Sequence, residues 1–163
     1  MALIYISLGS NIDRKRNVDA GLTALANVYG QLTLSSLFES EAVGFSGTAF
    51  YNLVVGITTS DSVESVAEQL RKIEFAHGRE LDAKKYSPRT LDLDLLLYDD
   101  LIIDTPAQLP RDEITKNAFV LWPLAEIAPQ LIHPHLQMSY QQLWQDYDKS
   151  SQQLRKVPLT WQQ

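Results

Sequence analysis

Two strand-like segments, residues 31–38 and 50–59, follow one another with no helical pattern between them, and an amphipathic helix pattern lies on either side of the pair. Few folds accept that order. Upstream, Leu3 to Leu8 is short, apolar and β-branched and reads as a buried strand. From about Asp13 to Tyr29, the residues Val18, Leu22, Leu25, Ala26 and Tyr29 share one face at helical spacing. Gly30 suits the left-handed position that closes such a helix. Downstream, Asp61 is expected to cap a second helix, with Glu64 in capping-box position and an apolar stripe of Val63, Val66, Ala67, Leu70 and Ile73. Gly78 stops it, and Leu91 to Tyr98 is a fourth strand. The order β-α-β-β-α-β predicts an α+β fold, the ferredoxin-like sandwich. A short return strand is expected at 101–103, a loop at 39–49 and additional C-terminal helices at 112–117, 119–127 and about 140–147. The polar tail after Ser150 is expected to be loose.

The 163 residues fit one domain, 1–163, with enough chain for a real core. A formal charge of −6 argues against a nucleic-acid or anionic-membrane partner, either of which selects a basic surface. The absence of cysteine excludes thiolate catalysis and Cys-based zinc sites. No apolar run approaches the ~20 residues of a membrane span, and the N-terminus lacks the pattern of a signal peptide. The expected location is the cytoplasm.

The chemistry concentrates in Ser87-Pro88-Arg89-Thr90-Leu91-Asp92-Leu93-Asp94-Leu95-Leu96-Leu97-Tyr98. Residues two apart on a strand share a face, so Leu91, Leu93, Leu95 and Leu97 are expected to point into the core. Asp92 and Asp94 then point together to the other side. Neighbouring carboxylates on an apolar strand repel each other and lose solvation. Magnesium relieves both problems and completes its shell with water and phosphate oxygens; two such ions ~4 Å apart could be bridged by this pair. Arg89 could add positive charge to a transferring phosphoryl group. The plain alternative is an edge strand with a solvated polar face, but aspartate is poor in strands. Glu74 continues the apolar stripe of the second helix and therefore needs a partner or a cavity.

This stretch resembles the signature of the 6-hydroxymethyl-7,8-dihydropterin pyrophosphokinase family, and the resemblance covers nearly the whole chain. It includes Leu8-Gly9-Ser10-Asn11, Phe50-Tyr51-Asn52, Glu74 with Gly78-Arg79, Pro88-Arg89-Thr90-Leu91-Asp92-Leu93-Asp94, and Phe119-Val120-Leu121-Trp122-Pro123-Leu124. The resemblance implies a ferredoxin-like enzyme that uses magnesium and ATP. It implies transfer of the β,γ-diphosphate of ATP to the hydroxymethyl group of the pterin, leaving AMP. By position it implies Asp92 and Asp94 as ligands of two magnesium ions, and Asn52 as hydrogen-bonding partner of the pterin edge. It makes Phe119 one aromatic wall of the pterin site and Phe50 the other. Ser40 and Val43 fall where a loop of the family contacts pterin, Arg79 and Arg89 match phosphate-facing arginines, and Glu74 matches an acidic residue near the nucleotide.

Phe50 and Tyr51 point to opposite faces of a strand, so only one of them can stack on a ligand. Phe119 and Trp122 sit three apart on a helix, and Trp122 is the better candidate for core packing. Where the family commonly has a Pro-His-Tyr run, this chain has Pro110-Arg111-Asp112-Glu113, and where an arginine is expected it has Asn117. Arg111 and Lys116 are the candidates to supply the missing nucleotide contacts. These departures motivate a second reading, a pterin-binding paralogue with weak or no transfer activity. His133-Pro134-His135 reads as a solvated loop rather than a metal site, and Gly9-Ser10-Asn11 as a turn that ends the first strand.

Overall fold

The structure, a computed structural model, describes residues 1–40, 49–78 and 90–163. The chain runs through β1 (Ala2–Ser10), α1 (Arg14–Tyr29), β2 (Thr33–Leu34), β3 (Leu37–Ser40), β4 (Phe50–Thr59), α2 (Val63–Ala76) and β5 (Asp92–Tyr98). A 3-10 turn (Asp112–Thr115), α3 (Ala118–Ile127), α4 (Tyr140–Asp146) and β6 (Leu154–Val157) follow. The sheet order is β5-β1-β4-β3-β6, with β2 also on β4, and every pairing is antiparallel. Its first four members in that order are the ferredoxin-like arrangement expected from the sequence.

Alternation along the strands builds two cores. Ile4, Ile6, Leu8, Leu53, Val55, Leu91, Leu93 and Leu95 meet the stripes of α1 and α2 on one face. Tyr5, Val54, Leu96 and Leu97 meet α3, α4 and the 3-10 turn on the other. Burying each such leucine stabilises the fold by about 1.5–3 kcal/mol before the entropy of ordering it is subtracted.

Leu97 departs from the expected alternation. Tyr5 pairs with Leu97 but Ile6 with Leu95, so Leu96 is an extra residue in the ladder. This β-bulge turns Leu97 over to the second core and brings Tyr98 back to the first. The strand expected at 31–38 is broken at Ser35, whose hydroxyl accepts from the backbone N–H of Val54 at 2.9 Å. Its continuation, β3, extends to Ser40, so residues 39 and 40, expected in a loop, are strand; the rest of that expected loop up to residue 48 lies outside the described residues. The return strand at 101–103 amounts to a single bridge between Ile103 and Leu109.

The cap of α2 is Ser62 rather than Asp61: the Ser62 hydroxyl accepts from the Ser65 N–H at 3.1 Å. The tail is also not loose. β6 pairs with β3, and Leu159 and Trp161 pack against the first core. Trp161 Nε1 donates to Thr23 Oγ1 at 3.0 Å, and the Gln163 side chain bonds the Leu32 N–H and the Gly30 carbonyl. Val157, Leu159 and Trp161 alternate, which gives the tail one apolar face. No helix among the described residues is long and apolar enough to cross a membrane.

The cap assignment predicts that Ser62→Ala costs about 1 kcal/mol in urea unfolding, while Asp61→Ala costs less than half of that.

Candidate active site

Asp92 and Asp94 share the face of β5 that carries Leu96, opposite Gly9 and Ser7 of β1 respectively. Both are half-buried. Among the described residues, Arg111, at the start of the 3-10 turn, is a cation beside them. Its backbone N–H donates to the Leu96 carbonyl at 3.0 Å, which fixes it to β5 just beyond Asp94. Its Nη2 lies 3.3 Å from Asp94 Oδ1 and 3.3 Å from Glu113 Oε1. Burial alone would lower the Arg111 pKa, but Asp94 and Glu113, with Asp92 behind them, outweigh it and hold the guanidinium above its ordinary value. Arg111 Nε is buried with no partner among the described residues.

No group of three or more His, Asp or Glu side chains is arranged around a metal position among the described residues. Two carboxylates with no softer donor suit magnesium, which leaves most of its shell to water and phosphate. The half-buried arginine held against them shows that this face takes up positive charge. His133 and His135 lie elsewhere. His133 is buried rather than solvated, and its Nδ1 accepts from the backbone N–H groups of His135 and Leu136 at 3.1 Å each, closing a turn.

A row of four residues crosses the sheet from the acidic pair: Asp92, Gly9, Asn52 and Phe38. Gly9 is not a turn residue but lies within β1. A Cβ there would stand 2.6 Å from Asn52 Oδ1, so the Asn52 amide lies directly over the glycine. Asn52 Nδ2 donates to Ser40 Oγ at 3.2 Å, and Ser40 pairs with Phe50. Phe50, two residues before Asn52, shares its face. Tyr51 turns to the other side, packs against the first core and lies under the Arg14 guanidinium at 3.9 Å. Phe119 packs on the second core, in the first turn of α3. Trp122 is half-buried between Phe38 and Trp144, at centroid distances of 4.7 and 5.1 Å.

Glu74 is buried and reaches across from α2 to β5, where Oε2 accepts the N–H of Leu93 at 2.8 Å, between the two aspartates. Lys116 instead pairs with Asp112 at 2.8 Å and is well exposed, so no described contact brings it to the acidic pair. Asn117 Oδ1 accepts from Gln152, whose own carbonyl accepts the N–H of Ala118 at the start of α3. Val43, Arg79 and Arg89 lie outside the described residues.

A second charged group, not singled out in the sequence, borders the site. Glu39 Oε2 accepts from Arg14 Nη1 at 2.7 Å, Glu39 Oε1 accepts from Arg155, and Arg14 also donates to the Ala49 carbonyl at 3.0 Å. Arg14 thereby links the end of β3 to the residue before β4. Its partner Glu39 is close only after β3 pairs with β4, so local spacing gives no sign of it.

Residues 5–129 match the family described as 7,8-dihydro-6-hydroxymethylpterin-pyrophosphokinase (HPPK). The 2-amino-4-hydroxy-6-hydroxymethyldihydropteridine pyrophosphokinase of Aquifex aeolicus is 34% identical over 137 residues, covering 82% of this chain and 85% of that one. The protein of the same name from Pseudomonas aeruginosa is 34% identical over 136 residues, covering 80% and 83%. In fold the chain is similar to Plasmodium falciparum HPPK-DHPS, with a TM-score of 0.75 to the A437G form with STZ-DHP at 13% identity. That match covers 92% of this chain and 46% of the other, so this chain spans less than half of that protein, and at such identity the likeness shows the fold alone.

The Arg14 and Arg155 hydrogen bonds hold the Glu39 carboxyl below its ordinary pKa of 4.5. A lowered folded-state value stabilises the fold above the unfolded pKa, and that contribution is lost as pH falls through the folded value. Glu39→Gln is therefore expected to lower the urea midpoint at pH 7, and its difference from wild type to shrink below pH ~4.

Proposed function

Because the chain belongs to the 7,8-dihydro-6-hydroxymethylpterin-pyrophosphokinase family, we propose that it transfers the terminal diphosphate of ATP to 6-hydroxymethyl-7,8-dihydropterin in folate biosynthesis, with magnesium held by Asp92 and Asp94. The observation that carries this reading is the row in which Asp92, Gly9 and Asn52 lie side by side, with Phe50 on the same face. It sets a charge-binding end and an amide-and-aromatic end on one surface, as a reaction between a nucleotide and a flat heterocycle requires.

Magnesium bound by the pair, two ions in the full complex, would neutralise phosphate charge and align the displaced group. The chain's own residues then divide the task. Asn52 offers a donor and an acceptor to the amide-like pterin edge, while Phe50 and Phe119 supply the faces between which the ring stacks. Ser40 orients Asn52, and Val43 borders the same ligand. Arg79 and Arg89, with Arg111, meet the phosphates. Glu74 holds the strand between the aspartates by its bond to Leu93 and stands near the nucleotide. Lys116 contributes only if it leaves Asp112.

The hydroxymethyl oxygen attacks the β-phosphorus, the bond from that phosphorus to the α,β-bridging oxygen breaks, and AMP leaves with that oxygen. The hydroxyl proton passes to solvent. Such a transfer depends on position and charge neutralisation rather than on a covalent residue. No observation favours a paralogue that binds pterin without turning it over. We further propose that the domain acts on these small molecules without nucleic acid or membrane, in the cytoplasm.

The test is AMP release from ATP in the presence and absence of 6-hydroxymethyl-7,8-dihydropterin and magnesium. Release is expected only with both present. Asp92→Ala and Asp94→Ala should each lower it by about 10²-fold or more, with the fold intact by circular dichroism. Undiminished AMP release by either variant would remove the metal assignment. Asn52→Leu should raise KM for the pterin much more than KM for ATP.

A further inference from the structure

Arg111 occupies an unusual position. It is a half-buried cation against the very carboxylates proposed to hold a divalent ion, and its guanidinium is only partly engaged. Nη2 contacts both Asp94 and Glu113 at 3.3 Å, a long separation for a charge-assisted bond. Nε, on the same edge of the guanidinium as Nη2, is buried without a partner among the described residues. A buried orphan donor costs stability in the state that leaves it unpaired, and a second state that uses it would account for its presence. The backbone of Arg111 is fixed, through its N–H to Leu96, so any rearrangement is confined to the side chain.

We propose that Arg111 is an exchangeable counter-ion: it occupies Asp94 in the ligand-free chain, and on loading it turns its Nε–Nη2 edge to a phosphate of the nucleotide while the metal takes the carboxylates. This inference rests on the reading of Asp92 and Asp94 as the metal-holding pair. The chemistry favours the exchange. A guanidinium and a divalent ion cannot both sit on one carboxylate edge without repulsion. A phosphate provides two acceptor oxygens that can meet the Nε and Nη2 donors together, a pairing this edge lacks on Asp94. Glu113 keeps the side chain near the site during the change, since it holds the same Nη2 from outside the acidic pair. Arg111 is in this sense a positioning residue that reserves the pair for a metal arriving with its nucleotide and disfavours the bare ion.

The exchange predicts effects of opposite sign on two binding constants, which a merely structural arginine would not produce. Mn2+ serves as the probe, followed by its paramagnetic signal with the full chain, first alone and then with α,β-methylene-ATP. Arg111→Gln is expected to bind Mn2+ alone more tightly, by roughly fivefold, the scale set by a partly exposed ion pair. The same variant should bind the Mn2+–nucleotide complex more weakly than wild type, and Arg111→Lys should recover part of that loss. Glu113→Gln, which leaves Asp94 the remaining anchor for Nη2, should weaken Mn2+ binding in the absence of nucleotide. Unchanged Mn2+ affinity in Arg111→Gln, or a change of the same sign in both measurements, would overturn the exchange while leaving the metal site standing. No Mn2+ binding by wild type or by any variant would overturn the metal assignment and the exchange with it.

Discussion

Two carboxylates on one face of a leucine-rich strand require positive charge at that face, and much of the structure around β5 is organised by that requirement. Their mutual repulsion is not relieved by solvent alone, because both are half-buried. The described chain answers with Arg111, delivered by a turn whose backbone is tied to the strand it serves. From the other side α2 sends Glu74 to the N–H of Leu93, so the backbone between the aspartates is fixed by a group outside the sheet. β5 ends the sheet on this side. An open strand edge must be covered or blunted, and here the covering groups are the ones that also hold the acidic pair in place.

The second constraint is steric. Asn52 lies over Gly9 because that residue has no side chain, and a Cβ there would clash with the amide oxygen at 2.6 Å. Asp92 and Asn52 pair with the same glycine from its two neighbouring strands. The ladder, rather than a loop, therefore sets the spacing between the charged and amide ends of the site. A site carried on paired strands keeps that spacing far better than one carried on connections.

Much of this was legible in the sequence where one period governed one element. The alternation of Asp92 and Asp94 with Leu91, Leu93 and Leu95 gave their faces correctly, and the two consecutive strands between helices pointed to the ferredoxin-like fold. The resemblance to a known family pointed to Asn52, Phe50 and Phe119 as pterin-site residues, which remains a proposal. Strand alternation by itself left Phe50 and Tyr51 equivalent, and the structure puts Phe50 on the face of Asn52. Three features escaped the sequence because each depends on partners distant in the chain. The bulge at Leu96 exists because β1 pairs with β5 on both sides of it, which inverts Leu97. Ser35 breaks the second strand by bonding Val54 across the sheet. Glu39 meets Arg14 and Arg155, 25 and 116 residues away. The order of the tail was hidden for a different reason. Its polar composition masked the alternation of Val157, Leu159 and Trp161, which was visible all along.

The two edges of the sheet make the coupling between fold and site plain. At one edge Asp92 and Asp94 lie on β5, braced by α2 and the 3-10 turn. At the other, β6 pairs along β3 and carries Arg155 to Glu39, next to Ser40 and its partner Phe50. The tail segment therefore stabilises the strand whose last residue orients Asn52. Loss of β6 would free the β3 edge and release Glu39 from one of its two arginines, disturbing the amide end while leaving the acidic pair untouched. The strand pair β1 and β4 between these edges holds both ends in register. Ligand-dependent movement then falls to long side chains such as Arg111, for which the sheet need not move.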